Sequence, residues 1–470
     1  MSGYAGRGAS LLVAALASAF GVVLLQITNV LAAVMSAHGA TDFATVRSSL
    51  AIVAFLFLTV AIYVSAIVTA NTVATVIAGR TRTIALMRLV GSSARDQRRA
   101  LTRDGLTAGA IGALIGALVG TLLMSAGLAV TVAAGGLPDL GYTLLEPLLA
   151  LPMGIVVLST WCAAWVGSRR VLTVSPMQAV GAATERSLDE AAGRPIRNAI
   201  AVLLMLVGVL MLAGGVGLSL VSEYGVLLGL GGRLLVFSAG GGLLSFSGLV
   251  LGSHLIMPPI LRLVGRALGG SAPARLAAAN AQEHPERSSR ATIGLVIGVT
   301  LITMFAVAGA TFEQMMAPTM TDPAARQTFG EMLSISLAVI SVLVGFSALI
   351  AAVGMVNNLA LSVLQRSREI GLLRALGFTG RQVRVMILAE GLQMSVSAVG
   401  LGLTLGVFYG WAAAQSLFGA VAGGELVAPV VPWLLVVLCL VGTAALAVGA
   451  TIVPAHRAVS VPPVNALAAT

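Results

Sequence analysis

The chain has no lysine, few charges and only two cysteines, and each shortage excludes a class of protein. All 27 basic residues among its 470 are arginine, so the chain cannot form a phosphate-binding P-loop, which needs a lysine. Charged residues make up 9% of the chain, whereas a soluble domain has about 25%. Cys162 and Cys439 fall within apolar runs, so we expect packing residues and no disulfide. The four histidines lack ligand spacing, which predicts no metal site.

Long apolar runs account for the low charge. Hydrophobic residues make up 58% of the chain, and its mean hydropathy is +1.01. A helix needs about 20 apolar residues to cross the roughly 30 Å hydrocarbon core of a membrane. Runs of this length recur without the period-two alternation of a β-barrel. They predict an all-α integral membrane protein with about ten transmembrane helices, near residues 10–35, 48–78, 105–134, 144–168, 199–221, 233–257, 290–312, 332–364, 386–418 and 430–455.

Arginine marks one side of the predicted membrane. With ten spans drawn, every arginine except Arg47, Arg233 and Arg326 falls on the side that also holds both chain ends. Cytoplasmic loops carry such an excess of basic residues, so we expect both termini in the cytoplasm. The net charge of +10 then reflects the arginines that orient the protein in the membrane. Because the arginines lie at helix ends without interleaved aromatic residues, we expect no nucleic-acid partner.

One basic segment occurs twice in the same register. Arg366–Leu392 carries five arginines among aliphatic residues, and Arg80–Leu106 aligns with it at an offset of 286 residues without a gap. Ten residues of the first copy recur unchanged in the second: Arg80, Arg82, Ile84, Leu86, Arg88, Gly91, Arg95, Arg98, Gly105 and Leu106. A repeat of this length predicts two copies of one membrane unit.

The repeat also predicts the domain organisation. The fourth span is followed by Val174–Val180, V-S-P-M-Q-A-V, and the chain ends on its partner Val461–Leu467, V-P-P-V-N-A-L. We expect a four-helix unit over 1–180, a cytoplasmic linker over 181–198, a two-helix insert over 199–262 and a second four-helix unit over 263–470. Because an even number of inserted helices lets both units enter the membrane in the same direction, the repeats are predicted to be parallel.

The twin basic segments admit two interpretations. Arg374, Arg381 and Arg384 have the spacing of one helix face, and their counterparts in the first copy share it. Such a helix could lie on the inner membrane surface and pair its arginines with lipid phosphates. Two copies in one register, each between long spans, instead favour docking surfaces for a symmetric partner, and we prefer this interpretation.

The second copy reads R-x-R-E-I-G-L-L-R-A-L-G between two long helices, and it resembles the FtsX-like (MacB-type) permease domain of ABC transporters. The lead-in N-A-Q-E-H-P-E-R-S-S-R-A-T at 280–292 and the terminal V-P-P-V-N-A-L are similar to that family's flanks. The resemblance covers roughly 48–180 and 275–467. The ten-span layout resembles the BceB-like branch, but the short outer connections leave no room for that branch's large extracellular domain.

In that family the basic segment is a coupling helix that sits in a groove of the ATP-binding subunit. The resemblance implies this contact for Arg366, Arg368, Glu369, Ile370, Leu372, Arg374 and Gly377 of the second copy, and for Arg80, Arg82, Ile84, Leu86, Arg88 and Gly91 of the first. One position departs from the pattern, because Thr83 stands where the second copy has Glu369. The two segments are therefore expected to bind the ATP-binding subunit with different affinities.

Other residues carry weaker signals. Glycines recur every four residues in spans three and nine, at Gly112, Gly116, Gly120, Gly402, Gly406 and Gly410. This spacing favours close packing within one bundle, and the alternative is a seam along which helices slide. Asn71, Asn357 and Asn358 lie within spans, where they either bond across helices or contact substrate. Asp104 and Glu390 are predicted to head spans three and nine, where a carboxylate suits the helix dipole.

These expectations combine into a permease subunit of an ABC transporter in a bacterial inner membrane. It would have no ATPase site, and hence no cofactor of its own, and it would pair with two copies of a separate subunit that binds ATP and Mg. Its cargo would be a hydrophobic or amphipathic molecule for export. Two alternatives stay open: an FtsX-like signalling component that controls a cell-wall enzyme, and an ion-coupled secondary transporter. The scarcity of acidic residues in the spans disfavours the latter.

Overall fold

The computed structural model describes residues 2–37, 90–133, 140–169, 195–221, 231–267, 285–316, 376–419 and 425–434, with shorter pieces that include 86–87 and 372–374. Regular structure within these ranges is helical throughout, without a strand. The prediction of an all-α protein is confirmed.

The described helices follow the order of the apolar runs. They are α1 (Ser2–Ala37), α2 (Ala94–Ala133), a 3-10 turn (Pro147–Leu149) that leads into α3 (Ala150–Gly167), α4 (Pro195–Val221), α5 (Gly231–Leu251), α6 (Ser253–Ala267), α7 (Pro285–Met316) and α8 (Gly380–Phe418). Six of them, α1, α2, α3 with its leading turn, α4, α7 and α8, are long and apolar enough to cross a membrane.

Helices α5 and α6 together meet the same test, which gives a seventh candidate span in the described part of the chain. The predicted spans near 48–78, 332–364 and 430–455 lie wholly or mostly outside the described residues. The total of ten spans therefore stays a prediction.

The sixth span is not the single straight helix predicted over 233–257. Helix α5 ends at Leu251, and α6 leaves it at an angle of 72°. Gly252 lies at the break, where its N–H donates to the Gly248 carbonyl at 2.8 Å and its own carbonyl accepts from Leu255 at 2.8 Å. A glycine tolerates such a change of direction because it has no side chain to clash.

The helices divide into two compact units. In the first unit α2 packs along both α1 and α3, and α1 also contacts α3. The core lies on α1, where Val13, Ala17, Phe20 and Val23 are buried.

In the second unit α7 and α8 form one tightly packed pair, and α4 and α5 form another. Helix α8 also contacts α4, α5 and α6, so the insert helices pack directly on it. A core cluster joins Met257 and Leu261 of α6 with Val296 and Val299 of α7 and with Met394 of α8.

Helices α2 and α8 both begin before the apolar runs predicted at 105–134 and 386–418. Asp104 and Glu390 therefore lie inside these helices, and the prediction that they head them is wrong. The dipole effect is confined to the first turn, so it does not explain these carboxylates. Glu390 is buried within α8.

Candidate docking site

A glycine turn ends the basic segment in the second copy. Gly377 has φ +101°, a conformation that favours glycine, and its N–H donates to the Arg374 carbonyl at 3.1 Å. The next residue, Phe378, donates to the Leu373 carbonyl at 3.0 Å. These two bonds form a Schellman motif, the common glycine-containing end of an α-helix. The helix that carries Arg374 therefore stops at Gly377.

The first copy ends in the same way. Gly91 has φ +105°, and Ser92 donates to the Met87 carbonyl at 2.9 Å, which is the bond that Phe378 makes 286 positions later. Both repeats thus use one backbone geometry at the last residue of each predicted contact set, Gly91 and Gly377.

A side-chain cap begins the next helix in both copies. In α8 the Thr379 hydroxyl accepts from the Gln382 N–H at 3.3 Å, and the Gln382 side chain accepts from the Thr379 N–H at 2.8 Å. In α2 the Ser93 hydroxyl accepts from the Asp96 N–H at 3.1 Å. Because these caps fix the helix start, each repeat forms a helix–glycine–cap–helix turn, which we call the docking turn (residues 86–96 and 372–382).

This geometry corrects the predicted arginine face. Arg374 precedes the glycine turn, whereas Arg381 and Arg384 follow the cap on α8. The three arginines therefore lie on two helical segments and do not share one helix face. The same turn separates Arg88 from Arg95 in the sequence of the first copy.

The tips of the docking turns are apolar and exposed. Val90 is 88% exposed, and its counterpart Leu376 is 72% exposed. Leu86 and Leu372 are exposed beside them. Exposed aliphatic residues next to arginines form the kind of surface that a protein partner can cover. The sequence reading overlooked Val90 and Leu376, although their position just before each glycine was a usable signal.

The second docking turn is anchored to α8 by apolar contacts. Leu373 and Phe378 pack against Val383, Met386 and Ile387, which are buried near the start of that helix. The second docking turn is therefore packed directly on the first turns of α8.

Several predicted site residues lie outside the described part of the chain: Arg80, Arg82, Ile84, Arg88, Arg366, Arg368, Glu369, Ile370, Asn71, Asn357 and Asn358. Their predicted roles stay predictions. The residues of the docking list that the structure describes are Leu86, Gly91, Leu372, Arg374 and Gly377.

The glycine ladders face neighbouring helices of their own units. A Cβ at Gly112 would lie 2.7 Å from the Leu11 carbonyl oxygen of α1, and one at Gly116 would overlap the Ala15 carbonyl. Gly120 faces Ala19 of the same helix. These glycines let α1 and α2 approach at backbone distance.

The second ladder makes the corresponding contacts between α8 and α7. A Cβ at Gly402 would lie 2.8 Å from Val299, one at Gly406 would overlap Thr303, and one at Gly410 would overlap the Met304 carbonyl. The repeat in the sequence is therefore matched by a repeat in helix packing.

A model of the FtsX-like permease C-terminal family matches the chain twice, over residues 55–176 and 341–463. Together the two matches take in just over half of the chain, and each includes one docking turn and one glycine ladder. The chain belongs to the FtsX-like permease family. The starts of the two matches are 286 residues apart, which is the offset of the repeat.

Two relatives resemble parts of this permease. The uncharacterized ABC transporter permease YknZ of Bacillus subtilis is 29% identical over 138 residues, which are 29% of this chain and 33% of YknZ. The macrolide export ATP-binding/permease protein MacB of Bdellovibrio bacteriovorus is 40% identical over 76 residues, which are 16% of this chain and 11% of MacB. The matched regions thus span a third or less of either relative.

The two docking turns of the permease differ in how the following arginine is held. Arg98 lies with its guanidinium carbon 4.6 Å from the centre of the Trp165 ring and donates to the Trp165 carbonyl at 3.2 Å. Arg169 contacts the same ring at 4.6 Å. In the second copy Arg384 instead donates to the Gly380 carbonyl of its own helix, at 3.3 Å. Arg98 is therefore engaged in packing at the end of α3.

Hydroxyl pairs join the insert to α8. Ser238 of α5 donates to the Ser416 hydroxyl at 2.7 Å, and the hydroxyls of Ser245 and Tyr409 lie 2.9 Å apart. All four side chains are buried. Sequence reasoning gave these residues no role, because single serines in an apolar run are indistinguishable from ordinary helix residues until their partners are known.

Proposed function

We propose that this protein is the membrane-spanning subunit of an ABC transporter that exports a hydrophobic or amphipathic molecule, such as a lipid, a peptide antibiotic or a drug. The observation that carries the proposal is the duplicated docking turn. Each copy has the same glycine conformation, the same helix cap and an exposed aliphatic tip at Val90 or Leu376. Two equivalent turns fit a partner that presents two equivalent grooves.

The partner is a separate ATP-binding subunit, present in two copies, which binds ATP and Mg and supplies the energy. ATP-driven closure of that pair displaces both docking turns on the cytoplasmic side of a bacterial inner membrane. In the second unit the displacement reaches α8 through Leu373 and Phe378, which pack on Met386. ATP shifts the permease only to the extent that the closed pair binds one conformation more tightly than the other.

The outer connections favour export over signalling. In the first unit the Gln26 amide donates to the Leu144 carbonyl at 3.0 Å, and Asn29 donates to the Glu146 carboxylate at 3.1 Å. These bonds hold the segment before α3 against α1. A short segment that is hydrogen-bonded to α1 offers little free surface to which a cell-wall enzyme could bind.

The corresponding segment of the second unit is held in the same manner. The Gln415 amide donates to the Glu425 carbonyl at 2.7 Å and accepts from the Val427 N–H at 3.3 Å. The direction of transport is supported by the relative MacB, whose name describes macrolide export.

The test is co-purification of the permease with its candidate ATP-binding subunit. The wild type is compared with Arg88→Glu plus Arg374→Glu and, separately, with Val90→Glu plus Leu376→Glu. Arg99→Glu plus Arg103→Glu is the matched control, because these arginines are exposed on α2 outside both docking turns.

The expected result is two bound ATP-binding subunits for the wild type and the control, and their release from both docking variants. Retention by the docking variants would refute the docking turns as the contact. A chain that transports without any ATP-binding subunit would favour the ion-coupled alternative.

A further inference from the structure

Helix α6 is bent sharply away from α5, with which it forms the seventh candidate span. The angle between α5 and α6 is 72°, and the turn occurs at Gly252 on the arginine-rich side, which is predicted to be cytoplasmic. If α5 crosses the membrane near the normal, α6 lies close to the membrane plane. A helix in that orientation, with one face packed against the protein, presents its other face to the lipid headgroups.

The two faces of α6 are sharply different. One face is buried and comprises His254, Met257, Pro258, Leu261 and Gly265. The opposite face is exposed and comprises Leu255, Pro259, Arg262, Leu263 and Arg266. This alternation at intervals of three and four residues is that of a helix half embedded in a surface.

The buried face fixes α6 to the rest of the second unit. Leu261 belongs to the core shared with α7 and α8, and the Gln393 side chain of α8 donates to its carbonyl at 2.8 Å. At the other end of α6, the His254 Nε2 atom lies 2.9 Å from the Asn198 side-chain oxygen of α4. The exposed face is therefore held in one orientation by three neighbouring helices.

The exposed face combines positive charge with apolar surface. Arg262 and Arg266 are one helical turn apart, and within the described ranges neither is paired with an acidic side chain. Leu263 lies between them and is 73% exposed. These residues, with Pro259 and Ala267, border an open surface depression of about 620 Å³. The depression can admit a headgroup, and α6 supplies a cation pair and an aliphatic surface on that side.

We propose that α6 binds the headgroup of an anionic phospholipid of the inner leaflet. Arg262 and Arg266 hold the phosphate, because a guanidinium donates two parallel hydrogen bonds to phosphate oxygens. Leu263 and Leu255 contact the upper acyl chains. Charge complementarity selects an anion, and the exposed Leu255 follows one turn after Leu251, the last residue of α5, which is also exposed and apolar. That continuity favours a lipid as the occupant.

The test uses native mass spectrometry of the full-length permease, purified alone and reconstituted in nanodiscs of phosphatidylcholine with phosphatidylglycerol. The comparison is between the wild type, Arg262→Gln plus Arg266→Gln, and the control Arg99→Gln plus Arg103→Gln. The control removes an exposed pair of the same spacing from α2. Circular dichroism in phosphatidylcholine alone verifies that every variant is folded.

The wild type is expected to retain phosphatidylglycerol in preference to phosphatidylcholine. Each arginine contributes roughly fivefold in affinity, so the α6 double variant should lose about 25-fold, and the loss should shrink in high salt. Arg262→Lys plus Arg266→Lys, which keeps the charge without the paired donors, should retain an intermediate affinity.

Three results would overturn the proposal. The wild type could show no preference for phosphatidylglycerol, or the α2 control could lose as much lipid as the α6 variant. The third is an α6 variant that keeps its lipid in nanodiscs and, in co-purification, releases the ATP-binding subunit, which would make this face a protein dock.

Discussion

The hydroxyl groups of Ser245 and Tyr409 lie 2.9 Å apart and join the insert to the long helix of the second unit. The ring of Phe246 meets that of Tyr409 edge-on, with 6.3 Å between the ring centres. In the first repeat the position of Tyr409 is held by Leu123, which is 56% exposed. The duplicated helices thus differ at this position: one makes a polar contact with the insert, and the other carries an exposed leucine.

The Ser245–Tyr409 contact should appear as a coupling between two substitutions. Hydrogen bonds between helices in membranes contribute about 0.6 kcal/mol on average and at most about 1.7 kcal/mol. We therefore expect Ser245→Ala and Tyr409→Phe to show a coupling energy of that size in the free energy of unfolding, measured in mixed micelles. Ser159→Ala combined with Tyr409→Phe is the control, because Ser159 bonds only to the Val156 carbonyl of its own helix. Equal coupling in both pairs would contradict the assignment.

Gly377→Ala and Gly91→Ala should each destabilise a docking turn. Their φ values of +101° and +105° bring a Cβ into conflict with the backbone, at a cost of about 1–2 kcal/mol. The expected result is a lower melting temperature together with weaker binding of the ATP-binding subunit. Gly127→Ala on α2, which would meet no atom within 4 Å, should be neutral or slightly stabilising. Unchanged binding by both turn variants would show that turn geometry does not govern docking.

Gly406→Ala should force α7 and α8 apart. The added methyl group would overlap Thr303, and overpacking of this kind costs about 1–3 kcal/mol. Gly400→Ala on the same helix meets no neighbour within 4 Å and serves as the matched control. Thermal unfolding in detergent gives the melting temperature of each variant. If the two variants melt at the same temperature, the glycine ladder is not a close-packed contact.

Arg98→Met should destabilise the first unit more than Arg99→Met. The first substitution removes the contact with Trp165, which is worth about 0.5–1 kcal/mol at a partly exposed site, and also the bond to the Trp165 carbonyl. Arg99 is exposed, so its replacement tests the loss of charge alone. Trp fluorescence during chemical unfolding follows the first unit when Trp411 and Trp433 of the second unit are replaced by Phe in every variant, which leaves Trp161 and Trp165. Equal midpoints for the two variants would exclude a structural role for the Arg98 contact.

The backbone geometry of the two turns depends on neighbouring residues, so part of it could be predicted from the sequence. Gly91 and Gly377 stand at matching positions of the repeat, and both glycines end a helix. The caps at Ser93 and Thr379 also had a sequence signal, since Asp96 and Gln382 follow at the third position. The predicted spans, however, were placed by their apolar residues, which begin later in the chain. The helix starts were therefore placed too late.

The sequence by itself determined the repeat, the helical class and most of the spans described here, because the length and composition of an apolar run suffice for a helix to cross a membrane. Tertiary structure decided the rest. The bend at Gly252 and the hydroxyl partners of Ser238 and Ser245 depend on side chains far away in the chain. Packing and hydrogen bonding between distant segments leave no local pattern, so one chain with two nearly equivalent repeats can place them in different surroundings without an obvious trace in its sequence.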